Sequence, residues 1–142
     1  MNAAPPVVTS LDVRGLQVGK STALTFTGSD LLPNPRLVST ARIEIEKDSN
    51  PGMENWWLAT DGGISGRSLL ALDALPQRPF SGAAGELPVA LHGSVSGPQV
   101  SEVSFSGKAG QTVRCEVEAQ RLQSRLRPVL KVYDAKNTLL AW

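Results

Sequence analysis

The sharpest chemical signal in this chain is "GLQVGKST", residues 15–22, which contains the Gly-Lys-Ser tail of a phosphate-binding loop. Such a loop needs Gly-x-x-x-x-Gly-Lys-Ser/Thr between a strand and a helix. Backbone N–H groups then wrap the phosphates, and the helix N-terminus adds its dipole. Gly19, Lys20 and Ser21 fit, but the first glycine belongs at position 14, which is Arg14. Gly15 leaves the loop one residue short. The residues that follow, "STALTFTG", are β-branched and alternating where a helix is required. The spacing predicts a hairpin turn feeding a strand, not a nucleotide site.

Two carboxylate pairs, Glu44 with Glu46 and Glu116 with Glu118, are the next candidates. Two residues apart on a strand, both side chains share a face at roughly 7 Å, near the separations glycosidases use. Alternation with Ile43 and Ile45, or with Cys115 and Val117, makes that face the solvated one. Ser, His and Asp all occur, yet "GISG" (63–66) and "GSVSG" (93–97) miss the Gly-x-Ser-x-Gly nucleophile spacing. His92 falls in a strand that reads as half-exposed. Cys115 lies between Val113 and Val117 on the inward face of its strand, which predicts a buried thiol; reactive cysteines need exposure and a cationic neighbour. With 1 Cys and 1 His, a Cys/His zinc site within one chain is excluded. No cofactor and no catalytic set is expected, so the chain reads as a non-enzyme.

Trp56 and Trp57 are the remaining oddity. Strand neighbours point to opposite faces, so one tryptophan at most fills a given core. The other either forms an exposed platform that stacks on sugar rings or anchors a partner, or packs under a neighbouring loop or the second half of the chain. Both are therefore candidate ligand or partner contacts.

The elements that must position these residues have a period of two. "STALTFTG" sets Leu24 and Phe26 against Thr25 and Thr27, with Gly28 closing the strand. "ARIEIEKD" alternates Ile43 and Ile45 with Glu44 and Glu46, then stops at "DSNPG" (48–52). "ENWWLAT" is another strand, ended by the turn signal Asp61-Gly62-Gly63. "RSLLALD" is one more. Residues 74–86, in "DALPQRPFSGAAG", read as a linker. Alternation then returns in Leu87, Val89 and Leu91, in Val103 and Phe105, and most cleanly in "QTVRCEVEAQ", with Val113, Cys115, Val117 and Ala119 inward. "RPVLKVYDAKN" sends Leu130 and Val132 inward and turns at Asp134–Asn137. One short stretch, "EAQRLQSRLR", looks helical before Pro128 ends it. No long helix separates the strands, so the fold class is all-β.

Bulk properties agree with a compact β-rich chain. It has 142 residues, 41% hydrophobic and 19% charged, with 13 Gly and 10 Pro, enough for one ordinary domain or two small ones. A net charge of +1 without a basic run implies neither nucleic acid nor anionic membrane as a partner. No run of about 18 apolar residues spans a membrane. "MNAAPPVV" has no basic n-region and no apolar h-region. It reads as a segment that begins just after a removed signal.

One segment carries a family resemblance. "GKAGQTVRCEVEAQRLQSRLRPVLKVYDAKNTLL" closely resembles the central strands of the bacterial pre-peptidase C-terminal domain. That family shows Phe-x-x-x-Ala-Gly-Gln, Glu-x-x-Ala-x-Arg-Leu, Leu-x-Pro-Val-Leu and Tyr-Asp-Ala. Phe105, Ala109, Gly110, Gln111, Glu116, Ala119, Arg121, Leu122, Leu126, Pro128, Val129, Leu130, Tyr133, Asp134 and Ala135 match it in order. The match covers roughly the last third of the chain. The first half looks like the immunoglobulin-like TIG module that often precedes this domain in large secreted bacterial proteins. Gly19, Thr27, Gly28, Leu31, Thr60, Gly62, Gly63 and Ser65 supply its hallmarks. Some positions depart. Gln99 and Ser101 stand where the family has acids, Arg127 stands where it has Asp, and "LPQRPFSG" replaces an acidic stretch. The resemblance therefore carries no calcium site over.

The resemblance implies an immunoglobulin-like sandwich over 1–73, a linker over 74–86, and a pre-peptidase C-terminal-like, jelly-roll-like module over 87–142. That second module supplies only about four strands, against about eight in a complete jelly roll. It is expected to be truncated, or completed by the first module or another chain. An open edge would permit a homodimer by strand addition. The function implied is a non-catalytic accessory, spacer or adhesion module of a secreted or cell-surface bacterial protein. Its location would be extracytoplasmic, with neighbouring domains as partners. The alternative is a polysaccharide-binding module that uses an exposed tryptophan.

Overall fold

The computed structural model describes residues 7–29, 38–60 and 63–142, with side chains described at 7–29, 43–56 and 67–142. The fold is all-β. The chain divides into two compact units, Met1–Ser106 and Gly107–Trp142.

Among the described residues, eight strands belong to the first unit: β1 (Val7–Leu11), β2 (Gly15–Gln17), β3 (Ser21–Ser29), β4 (Val38–Glu44), β5 (Gly52–Thr60), β6 (Gly63–Asp73), β7 (Gln77–Pro79) and β8 (Ala90–His92). They form a three-stranded sheet in the order β1-β3-β4, a second in the order β2-β6-β5, and the pair β7-β8. The alternation of β3 does what its pattern predicts. Leu24 and Phe26 are fully buried, and Ile43 and Ile45 are buried while Glu44 and Glu46 are exposed. Leu16 from β2 and Leu70 and Leu72 from β6 meet them in one cluster with Leu11. The two three-stranded sheets therefore share one core. Each such side chain contributes about 1.5–3 kcal/mol on full burial.

The stretch that reads as a hairpin turn has a different job. Val18 and Gly19 form a turn, but β2 and β3 lie in different sheets. The turn carries the chain from one layer to the other. β2 pairs in parallel with β6, Gly15 opposite Ala71, and the ladder is extended by Val18 N donating to Asp73 O at 2.9 Å. No local pattern reveals such pairing, because the two partners are far apart in sequence.

Residues 74–86 carry more order than a linker composition suggests. β7 pairs in parallel with β8, Phe80 N donates to His92 O at 2.7 Å, and Ala83 bridges Ser104. The division between compact units falls later, after Ser106. The hairpin tip at Asp61-Gly62 lies outside the described residues, with Thr60 and Gly63 paired across it.

The second unit corrects the expectation of inward-facing strands. It holds a 3-10 turn at Gln120–Leu122 and one small hairpin, β9 (Val132–Tyr133) with β10 (Leu139–Ala141). Residues 111–118 belong to no strand, and Val113, Cys115 and Val117 are exposed. Alternation prepares a strand with two faces, but a ladder forms only against a partner strand, and a face is buried only by a second layer. Among the described residues the second unit offers 111–118 neither. Likewise Val103 and Phe105 gain only the isolated bridge at Ser104, and Phe105 is exposed.

Candidate functional site

The backbone at Gly19 decides the phosphate-loop question. Gly19 has φ +73°, a left-handed conformation that glycine adopts at no steric cost. Its N–H donates to Ile45 O at 3.0 Å, and Lys20 N donates to Gln17 O at 3.2 Å. These are the amides a phosphate would need, and both are engaged by the protein. In return Ile45 N donates to Lys20 O at 3.2 Å. Arg14 stands where the first loop glycine belongs. Burial holds its pKa below the ordinary value, and its guanidinium donates to Leu69 O at 3.5 Å. β3 follows Lys20 directly, so no helix dipole points at the loop.

The two carboxylate pairs differ from each other. Glu44 and Glu46 are exposed and border an open hollow of about 580 Å³ with Gly19, Ile45, Lys47 and Asp48. Glu116 pairs with Arg114, and Glu118 with Arg121 at 3.0 Å. Each of those two carboxylates is matched to its own guanidinium instead of to the other. Among the described residues, no group of three or more His, Cys, Asp and Glu is placed to hold a metal ion.

The tryptophans part company. Trp56 lies opposite Ser68 in the β5–β6 register and packs, half-buried, against the shared core; its Nε1 is buried and has no hydrogen-bond partner among the described residues. Trp56 thus serves packing. The Trp57 side chain lies outside the described residues. His92 is half-buried in the β7–β8 pair, its Nδ1 without a partner among the described residues. Cys115 is an exposed thiol, a correction to the buried position that its alternation predicts.

No sequence motif singles out the surface of the second unit. Val117, Val129, Tyr133, Leu139, Leu140 and Trp142 are all exposed there. The signal available in the sequence is the alternation itself, which supplies faced strands without enough further strands to cover them. Among the described residues no helix is long and apolar enough to cross a membrane. No protein-family model, curated protein or solved structure matches this chain.

Proposed function

We propose that this chain is a non-catalytic accessory module of a secreted or cell-surface bacterial protein, acting as a spacer or adhesion surface for its neighbouring domains. One observation carries the reading: the residues from Phe105 to Ala135 follow the pre-peptidase C-terminal pattern in order, on an all-β chain. The engaged amides of Gly19 and Lys20 add support, because they leave the sharpest catalytic lead without its phosphate cradle. Immunodetection in fractionated cells of the source organism tests it. The protein belongs outside the cytoplasmic membrane; recovery in the cytoplasmic fraction, or Lys20-dependent ATP turnover by the purified chain, overturns the reading.

The polysaccharide-binding alternative keeps Trp56 and Trp57 as its contacts and turns first on Trp57, since Trp56 packs half-buried against the core. A polysaccharide pull-down comparing wild type with Trp57→Ala decides it. Retention by wild type and its loss in the variant supports a sugar platform; no retention by wild type removes it.

A further inference from the structure

The segment Gln111–Ala119 holds an unusual combination. Its sequence alternates strictly, yet among the described residues no main-chain hydrogen bond reaches 112–118 and no ladder includes them. Val113 and Val117 are 37% and 47% exposed, and Cys115 between them is exposed. Unpaired backbone donors and acceptors on an alternating segment form a template for an added strand.

We propose that this segment pairs antiparallel with the same segment of a second copy, on a two-fold axis through Cys115. Charge selects this occupant and this register. Centred on Cys115, Arg114 faces the second copy's Glu116, Glu116 faces its Arg114, and Val113 faces Val117. Opposite charges directly across strands stabilise, and like charges there destabilise. Moving the axis to Arg114 sets arginine against arginine; moving it to Glu116 sets glutamate against glutamate. A one-residue slip places the valine face beside the charged face, which the strand period forbids. The Cys115-centred register alone gives two opposite-charge pairs with no like-charge pair. Arg114 and Glu116 are already adjacent within the chain, with side chains 83% and 59% exposed, so pairing needs only an exchange of partners. The surface is self-complementary, as a two-fold interface requires.

The thiol provides a direct readout. Residues opposite each other in an antiparallel pair have Cα atoms about 4.5–5.5 Å apart, inside the range of about 4.4–6.8 Å that a disulfide spans. Because the chain has 1 Cys, any disulfide dimer joins Cys115 to Cys115. The 142-residue chain is oxidised with copper phenanthroline over a concentration series, and its mass is followed by sedimentation equilibrium under reducing conditions.

Wild type forms a reversible dimer that oxidation traps. Arg114→Glu alone and Glu116→Arg alone each weaken dimerisation at least tenfold, because each creates like-charge pairs across the axis. Mixing the two single variants restores a heterodimer, since every cross-strand pair is then opposite in charge. A role confined to one chain cannot be rescued by mixing. A wild type that stays monomeric overturns the proposal, as does capture only by an unrelated polypeptide. Single variants that dimerise like wild type, or a mixture that fails to recover, place the contact elsewhere and overturn it equally.

Discussion

Gly28 and Val7 approach so closely across the β1–β3 ladder that a Cβ on Gly28 would overlap the Val7 carbonyl oxygen and lie 3.1 Å from Val8 Cα. The approach sits beside a bulge between Val8 and Ser10, after which Thr25 N donates to Asp12 Oδ1 at 2.8 Å and Asp12 N to Thr25 O at 3.0 Å. The obstacle is backbone, so it cannot swing aside as a side chain would. Gly28→Ala therefore forces β1 away from β3 and costs roughly 1–3 kcal/mol, the usual range for overpacking. Urea unfolding measures the loss. Amide exchange should be faster than in wild type at Asp12, whose N–H donates to Thr25 O, and unchanged in β5.

A second prediction separates the two residues that most resemble a phosphate loop. Gly19 needs its positive φ, and a Cβ there would also press to 3.1 Å from Lys47 Cγ. Gly19→Ala costs roughly 1–2 kcal/mol for the left-handed conformation alone. Lys20 is exposed, so Lys20→Ala changes stability by less than about 0.5 kcal/mol. Calorimetric titration of wild type with magnesium and ATP should give no saturable heat. A phosphate loop would show the reverse: tight binding that Lys20→Ala destroys.

The contrast between β3 and 111–119 shows what alternation does and does not announce. Leu24 and Phe26 become buried because β6 and β2 deliver Leu70, Leu72 and Leu16 onto the same face. Val113, Cys115 and Val117 carry an equally clean pattern, and nothing in the second unit covers them. Period two states which side chains share a face; it does not state what lies opposite. Local chemistry travels better. The turn expected at Asp134–Asn137 forms, with Asn137 N donating to Asp134 O at 3.0 Å. The three-residue β2 is invisible in sequence because its parallel partner, β6, is remote. The candidate site is less legible for the same reason: Trp56 and Trp57 look equivalent until β6 and the core distinguish one of them.

Trp56 gives a prediction in which two substitutions diverge. Its ring packs against the core while its Nε1 finds no partner among the described residues. A buried donor left unpaired stabilises nothing, so replacing the indole by a phenyl ring removes a liability along with some contact. Trp56→Phe should shift stability by less than about 1.5 kcal/mol. Trp56→Ala removes the packing and costs about 3 kcal/mol, the low end for Trp→Ala because the ring is only half-buried. Urea midpoints at constant slope provide the comparison. A large loss in Trp56→Phe would mean that the N–H has a partner after all.

The last prediction concerns pH and the β9–β10 hairpin. Thr138 N and Lys136 N each donate to Asp134 Oδ1 at 2.8 Å, while Asp134 N donates to Thr138 O at 3.0 Å. The Thr138 amide first, and the Lys136 amide with it, favours the charged carboxylate and holds the Asp134 pKa below its ordinary value. A carboxyl whose pKa is depressed on folding contributes stability above its unfolded pKa. That contribution is lost as pH falls through the lower, folded pKa. The hairpin should therefore hold at neutral pH and loosen only in acid below the usual carboxylate range. An NMR titration should show the Asp134 side-chain carbon and the Thr138 and Lys136 amides moving together with one low midpoint. Asp134→Asn keeps an acceptor oxygen but no charge, so it retains the turn and abolishes that acid transition. Asp134→Ala removes the acceptor and should expose both amides to exchange at every pH. A midpoint at or above the ordinary aspartate value would sink this account of the turn.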